Sequence, residues 1–257
     1  MPDNSAATAN DSVLEDERFD LIYPPEVREL SWLHWTPLAV ARRAARLLVT
    51  HPGIRVLDIG CGVGKFCIVG ALTTAGHFTG VEQRKSLVDV ARDAIRINKI
   101  PNTRILHGNI EGIRFGDFDA FYLFNPFEEN LFDAGKIDSS VELSLALYKQ
   151  YVIYVARQLA QAPAGTRLVT YGGYCYEVPN CYECRQKMLD EELKLWVKMD
   201  ESEEKSSCRE DPIEQVEELL GMVLNLGKLR TESTAPPIQK NRKIAPVRHT
   251  EIPLWAS

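Results

Sequence analysis

Apolar positions fall in short blocks separated by stretches of helical spacing, and this alternation predicts the elements. Blocks near 54–59, 77–82, 103–107, 118–124, 166–171 and 193–198 have the length and flanking turn residues of strands. Ile54, Val56, Leu57 and Ile59 form a nearly continuous apolar run broken by Asp58, as in a strand buried on both faces. Between the blocks, Val40 or Ala41, Ala44 and Leu47 or Leu48 give one helical stripe, with Thr36 as N-cap and Pro37 in the first turn. Leu87, Ala91 and Ala94 or Ile95 give a second. Ser139 and Glu142 read as a capping box before a long helix carrying Leu143, Leu147, Tyr151, Val155 and Leu159, stopped by Pro163 and Gly165. Strands alternating with helices predict an α/β fold: a doubly wound, mostly parallel sheet with helices on both faces, plus a C-terminal extension.

The junction after the first block carries the chemistry. Gly60, Gly62 and Gly64 follow Asp58-Ile59 at alternate positions, and a helix from about Lys65 to Ala75 should follow. Glycines permit a sharp turn and close backbone approach, and the helix would direct its first N–H groups at a ligand. Glu82 ends the second strand 22 residues after Gly60, where an acid can accept both hydroxyls of a ribose. A pyrophosphate site usually reads G-x-G-x-x-G; here the third glycine is one place early, and Asp58 would face a phosphate unfavourably.

Asp58, Glu82 and the glycines between them resemble the opening motifs of class I S-adenosylmethionine (SAM) methyltransferases. Thr103–Ile110 resembles that family's third strand and adenine-binding turn, and Phe118–Phe127 its fourth strand with the loop facing the methyl acceptor. The resemblance implies cofactor contacts from Trp35 and Thr36 (closing the pocket), Asp58, Gly60, Gly62 and Gly64 (methionine end), Glu82 with Gln83 (ribose), Asn109 and Ile110 (adenine), and Asn125. It also implies that Asn125, Pro126 and Phe127 carry catalysis, the amide orienting the acceptor. Some family members that methylate nitrogen carry Asn/Asp-Pro-Pro-aromatic at this point, whereas this chain departs from the motif with a single proline. The Thr-Pro helix start, D-I-G-C-G-V-G-K, G-V-E and the Asn125 loop further resemble the non-SET histone-lysine methyltransferases, over roughly residues 30–130. That likeness and the chain's acidity suggest a nitrogen acceptor, a protein amine first. Glu128 or Glu129 is the nearest acid to assist deprotonation of an ammonium.

Two other readings use the same sheet. A nicotinamide-dependent oxidoreductase would need a further group such as Tyr-x-x-x-Lys or a positioned His, and neither occurs at a convincing place. A non-catalytic SAM-binding module would retain the glycines and both acids.

The remaining sequence bounds the setting. The 257 residues accommodate one full α/β domain with appendages, and 45% hydrophobic content supports a sizeable core. The organisation expected is a disordered acidic N-terminus (1–20), a segment covering the cofactor (21–52), the SAM-binding domain (53–200), and a C-terminal helix with an extended tail (201–257). Asp211 would cap a helix from Pro212 to Leu226, ended by Gly227. The absence of a signal-like or membrane-spanning run suggests a cytoplasmic protein. A net charge of −6 gives no general attraction for nucleic acid, so a protein or small-molecule acceptor is favoured, although Arg42, Arg43, Arg46, Arg84 and Lys85 could form a local basic patch. Cys181-x-x-Cys184, with Cys175 and Cys208, lacks the second paired unit of a structural zinc site, so no metal is expected. Cys175 to Gln186 reads as a loop near the acceptor pocket.

Overall fold

In the computed structural model, the described residues are 13–131 and 136–200. Seven strands form one sheet in the order β3-β2-β1-β4-β5-β7-β6. Strands β1 (Arg55–Ile59), β2 (His77–Glu82), β3 (Thr103–His107), β4 (Ala120–Phe124) and β5 (Arg167–Tyr171) are parallel. Only β7 (Leu193–Lys198) is reversed, pairing antiparallel with β5 and with β6 (Tyr182–Met188).

Strand alternation separates two cores. Val56, Ala120, Tyr122 and Val169 point to the face covered by α1 (Leu38–Leu48), α2 (Lys65–Thr73) and α3 (Lys85–Ile97). There Phe66 of α2 stacks on Tyr122, ring centres 3.8 Å apart. Phe121 points the other way and stacks on Phe115, which in turn meets Tyr154 of α4 (Leu145–Ala160) edge-on. Helices therefore cover both faces, as the sequence pattern requires. α1 is one-sided, burying Leu38, Val40, Ala41, Ala44, Ala45 and Leu48. By contrast, α2 is buried all round from Lys65 to Ala71, because α1 packs over it.

Five local expectations are corrected. Residues 13–19 are helical and Asp20–Ile22 forms a 3-10 turn, so this part of the acidic N-terminus is ordered. The reason is a tertiary charge: Lys65 is buried, with its Nζ 2.7 Å from Asp16 Oδ1 and 2.8 Å from Asp20 Oδ1. Asp16 Oδ1 also accepts the backbone N–H of Leu38, the first residue of α1. Thr36 does not cap that helix; Pro37 occupies the N-cap position and the Thr36 hydroxyl instead shares a 2.9 Å hydrogen bond with the Tyr122 phenol. α4 begins at Leu145 rather than after Ser139, because Ser144 Oγ accepts the Leu147 N–H. Within the expected Cys175–Gln186 loop, Tyr182 onward forms β6, the outermost strand. The candidate basic patch loses three of its members: Arg84 is buried and paired with Glu129 and Asp138, while Arg42 pairs with Glu15 and Lys85 with Asp89.

Replacing Lys65 by Met should strand two carboxylates. Breaking a buried pair in this way typically costs 3–5 kcal/mol. Lys65→Met is expected to lower the melting temperature and to raise hydrogen exchange across residues 13–37, with exchange in the central strands less affected. The expected C-terminal helix and tail, and Cys208, lie outside the described residues. Among the described residues no helix is long and apolar enough to cross a membrane, and no three His, Cys, Asp or Glu side chains cluster as metal ligands.

Candidate active site

The sheet order reverses between β1 and β4, and ligands of open α/β sheets bind at the carboxyl ends of strands at such a switch point. A cavity of about 270 Å³ lies there. Its floor is the loop after β1. Gly60, Gly62 and Gly64 all adopt the left-handed region, with φ of 71°, 53° and 72°. Space also demands glycine at two of these positions. A Cβ on Gly62 would lie 2.4 Å from the Trp35 ring, and one on Gly60 2.7 Å from Pro126 Cβ. The backbone is thus pressed between a roof residue and the β4 loop, leaving the cavity over bare main chain.

Glu82, only 7% exposed, organises this floor. Its Oε2 accepts the Gly62 N–H at 3.1 Å and its Oε1 the Arg84 N–H at 2.8 Å. Burial raises its pKa, opposed by the Arg84 and Gly62 N–H groups and the Arg84 charge. Each carboxylate oxygen retains a further lone pair for ligand hydroxyls. Trp35 is fixed as roof by its indole N–H, which donates to the Val27 carbonyl at 3.1 Å. His34 also lines the cavity, and burial lowers its pKa, which favours the neutral ring.

Of the residues expected from sequence, Trp35, Gly60, Gly62, Glu82, Gln83, Asn109, Ile110, Asn125, Pro126 and Phe127 all line the cavity. Asn109 is partly committed: its amide N–H donates to Tyr151 Oη and its Oδ1 accepts from the Glu111 N–H. Thr36, Asp58 and Gly64 are not among the lining residues. Gly64 serves as the N-cap of α2, and Thr36 holds the roof to the sheet through Tyr122. Asp58 lies behind the loop, where Cys67 Sγ donates to its Oδ2 at 3.4 Å.

Burial pushes the Asp58 pKa up to about 7, with the Glu82 charge adding to the shift. An acid with its folded-state pKa raised contributes full stability below its unfolded value and loses it as pH rises through about 7. Asp58→Asn should therefore stabilise the protein relative to wild type by about 2–4 kcal/mol at pH 8.5. At pH 5 the gain should be much smaller. Paired thermal melts at the two pH values check this.

Sequence reasoning missed Leu33, His34, Phe124, Ile137 and Tyr151 as wall residues, and Arg84 as the anchor of one wall. Arg84 donates to Glu129 at 2.5 Å and to Asp138 at 3.0 Å, tying the segment after β4 beside the cavity. Asn125 stands at the acceptor side with φ of 42°, in a region Asn tolerates better than most residues. Its side chain rests on Gly172 and Gly173 after β5: a Cβ on Gly173 would fall 1.9 Å from Asn125 Oδ1.

The strand order with one reversed strand, and the glycine loop after β1, agree with the α/β architecture expected from the sequence. Residues 50–150 match the family model described as a methyltransferase domain. The matched segment holds the glycine loop, Glu82 and Asn125. Among curated relatives, a 23S rRNA (uracil(1939)-C(5))-methyltransferase RlmD of Vibrio parahaemolyticus is 31% identical over 138 residues, 52% of this chain and 30% of that protein. A ribosomal protein L11 methyltransferase of Acetivibrio thermocellus is 34% identical over 61 residues, 24% of this chain and 20% of its own length. The chain thus spans less than a third of either relative. A solved RNA methyltransferase from Salinibacter ruber, in complex with S-adenosyl-L-homocysteine, aligns at 16% identity and a TM-score of 0.48. That alignment covers 68% of this chain and 99% of that one.

Proposed function

We propose that the protein transfers the methyl group of SAM to a nitrogen acceptor, a protein amine being the first candidate. The observation supporting this most directly is the buried Glu82 carboxylate bridging two backbone N–H groups beside a glycine floor, opposite a cavity wall made by Asn125, Pro126 and Phe127. The residues present suit the cofactor. Glu82 would hold the ribose hydroxyls, Ile110 with Asn109 would flank the adenine, and Gly60 with Gly62 would allow close approach of the methionine end. Trp35 would close over it. Asp58 would act on the methionine end only through the loop it supports.

Bound SAM supplies an activated methyl group on a sulfonium, a strong leaving group, so the protein's work is alignment and exclusion of water. Asn125 Oδ1 would accept a hydrogen bond from the acceptor nitrogen and aim its lone pair. Phe127, which packs against Tyr151 with ring centres 5.5 Å apart, would wall the acceptor from solvent. Of the two acids considered as proton acceptors, Glu129 is engaged with Arg84. Glu128 lines the cavity and its side chain has no hydrogen-bond or ion-pair partner among the described residues, which favours Glu128 in that role.

The named RNA methyltransferase relatives make RNA the competing acceptor. Incubating the protein with labelled SAM and separated protein, RNA and small-molecule fractions of a cell extract decides between them. Label is expected in an amine of the protein or small-molecule fraction, and label confined to RNA would refute the nitrogen-amine reading.

A further inference from the structure

The cavity wall carries a hydrogen-bond donor that no described residue takes up, and its availability follows from the contacts beside it. Asn109, at the turn after β3, accepts the Glu111 backbone N–H on its Oδ1 at 3.1 Å. A backbone N–H can only donate, so this contact decides which end of the amide is oxygen. The Asn109 NH2 group is thereby turned to Tyr151 of α4 and donates to its Oη at 2.7 Å. The phenol is the acceptor in that bond, so its own hydrogen remains to be given away. No acceptor for it occurs among the described residues. Tyr151 is buried and lines the cavity together with Asn109 and Ile110. Its ring is held by Phe127, ring centres 5.5 Å apart. Asn109 Oδ1 keeps a second lone pair. A donor and an acceptor, fixed relative to each other, therefore stand side by side at one wall of the cavity.

A buried hydroxyl without an acceptor is unfavourable until a ligand supplies one. The complement of this pair is a flat ring edge that offers an N–H donor beside a ring nitrogen with a lone pair. A 6-aminopurine has such an edge on either side of its amino group, with N1 on one and N7 on the other. A 6-oxopurine instead sets an acceptor, O6, against Asn109 Oδ1 at both edges. The amide cannot turn over to meet that oxygen without facing its NH2 group to the Glu111 N–H. We infer that Tyr151 is a specificity-determining residue of the cofactor site: its O–H donates to a ring nitrogen of adenine while Asn109 Oδ1 accepts from the 6-amino group. The inference rests on the placement of adenine at Asn109 and Ile110 under the proposed function, and it is independent of the methyl acceptor. In the sequence Tyr151 reads only as one position of the α4 stripe, because its partner Asn109 lies 42 residues away.

Isothermal titration of the full chain tests this with S-adenosylhomocysteine, its 1-deaza and 7-deaza analogues (a C–H in place of one ring nitrogen) and S-inosylhomocysteine. Wild-type protein is expected to bind one deaza analogue about tenfold more weakly than S-adenosylhomocysteine, the affected nitrogen naming the edge that is read. S-inosylhomocysteine should bind at least about thirtyfold more weakly. Tyr151→Phe keeps the ring and its packing on Phe127 but lacks the hydroxyl. It should bind S-adenosylhomocysteine about tenfold more weakly and distinguish it from that deaza analogue by no more than about twofold. A purely structural role would lower affinity for both ligands alike and leave their ratio at the wild-type value. Wild-type indifference to both ring nitrogens, S-inosylhomocysteine bound as tightly as S-adenosylhomocysteine, or an unchanged ratio in Tyr151→Phe would overturn the inference, and the first two need no variant. Wild-type protein that binds none of these ligands would overturn the methyltransferase reading along with it; S-adenosylhomocysteine binding without these preferences leaves that reading standing.

Discussion

Glu82→Ala is expected to weaken S-adenosylhomocysteine binding by 100-fold or more. The substitution removes the carboxylate that would hold the ribose and leaves the Gly62 and Arg84 N–H groups without their acceptor. Charge-assisted hydrogen bonds contribute about 1.5–3 kcal/mol each, and a buried orphaned donor costs about 1–3 kcal/mol. Two such losses exceed the roughly 2.7 kcal/mol that corresponds to 100-fold in affinity. Glu82→Gln separates the contributions. An amide oxygen can still accept one of the two N–H groups, so an intermediate loss is expected. Titration calorimetry of both variants gives the comparison, and an affinity within threefold of wild type for Glu82→Ala would remove the residue from the cofactor site.

The second large effect lies on the acceptor side. Asn125→Ala is expected to lower kcat by about 100- to 1,000-fold, in line with the loss of a positioned polar group at a reacting centre. S-adenosylhomocysteine affinity should change by less than threefold. Asn125 occupies left-handed backbone, so alanine adds a conformational cost of about 1–2 kcal/mol. Asn125→Gly serves as the control. Glycine relieves the backbone while still lacking the amide, so it should be as inactive as alanine. Recovery of turnover with glycine would assign the effect to loop geometry rather than to the amide.

The parallel half of the sheet and the cofactor floor were legible because local sequence and tertiary structure agree there. Asp58 to Gly64 reads as strand, turn and helix start, and its glycines are required by both backbone angle and space. Glu82 and Asn125 were legible by position at the ends of strands. Elsewhere a distant partner decides. Asp16 and Asp20 look like solvated acids until Lys65 supplies a buried cation. Thr36 looks like a helix cap until Tyr122 takes its hydroxyl. β6 escaped notice because, as an outer strand, it buries only Tyr182 and shows no apolar alternation. The cavity walls were least legible: Leu33, His34, Phe124, Ile137 and Tyr151 come from separate parts of the chain and carry no shared motif.

The central claim is methyl transfer from SAM to an amine, and the most direct measurement follows labelled methyl into a spermidine or lysine-peptide acceptor by mass spectrometry. Wild-type protein should place the labelled methyl on nitrogen, and Asn125→Ala, still binding S-adenosylhomocysteine, should not. Methylation of RNA alone, or amine methylation that persists in Asn125→Ala, would contradict the account.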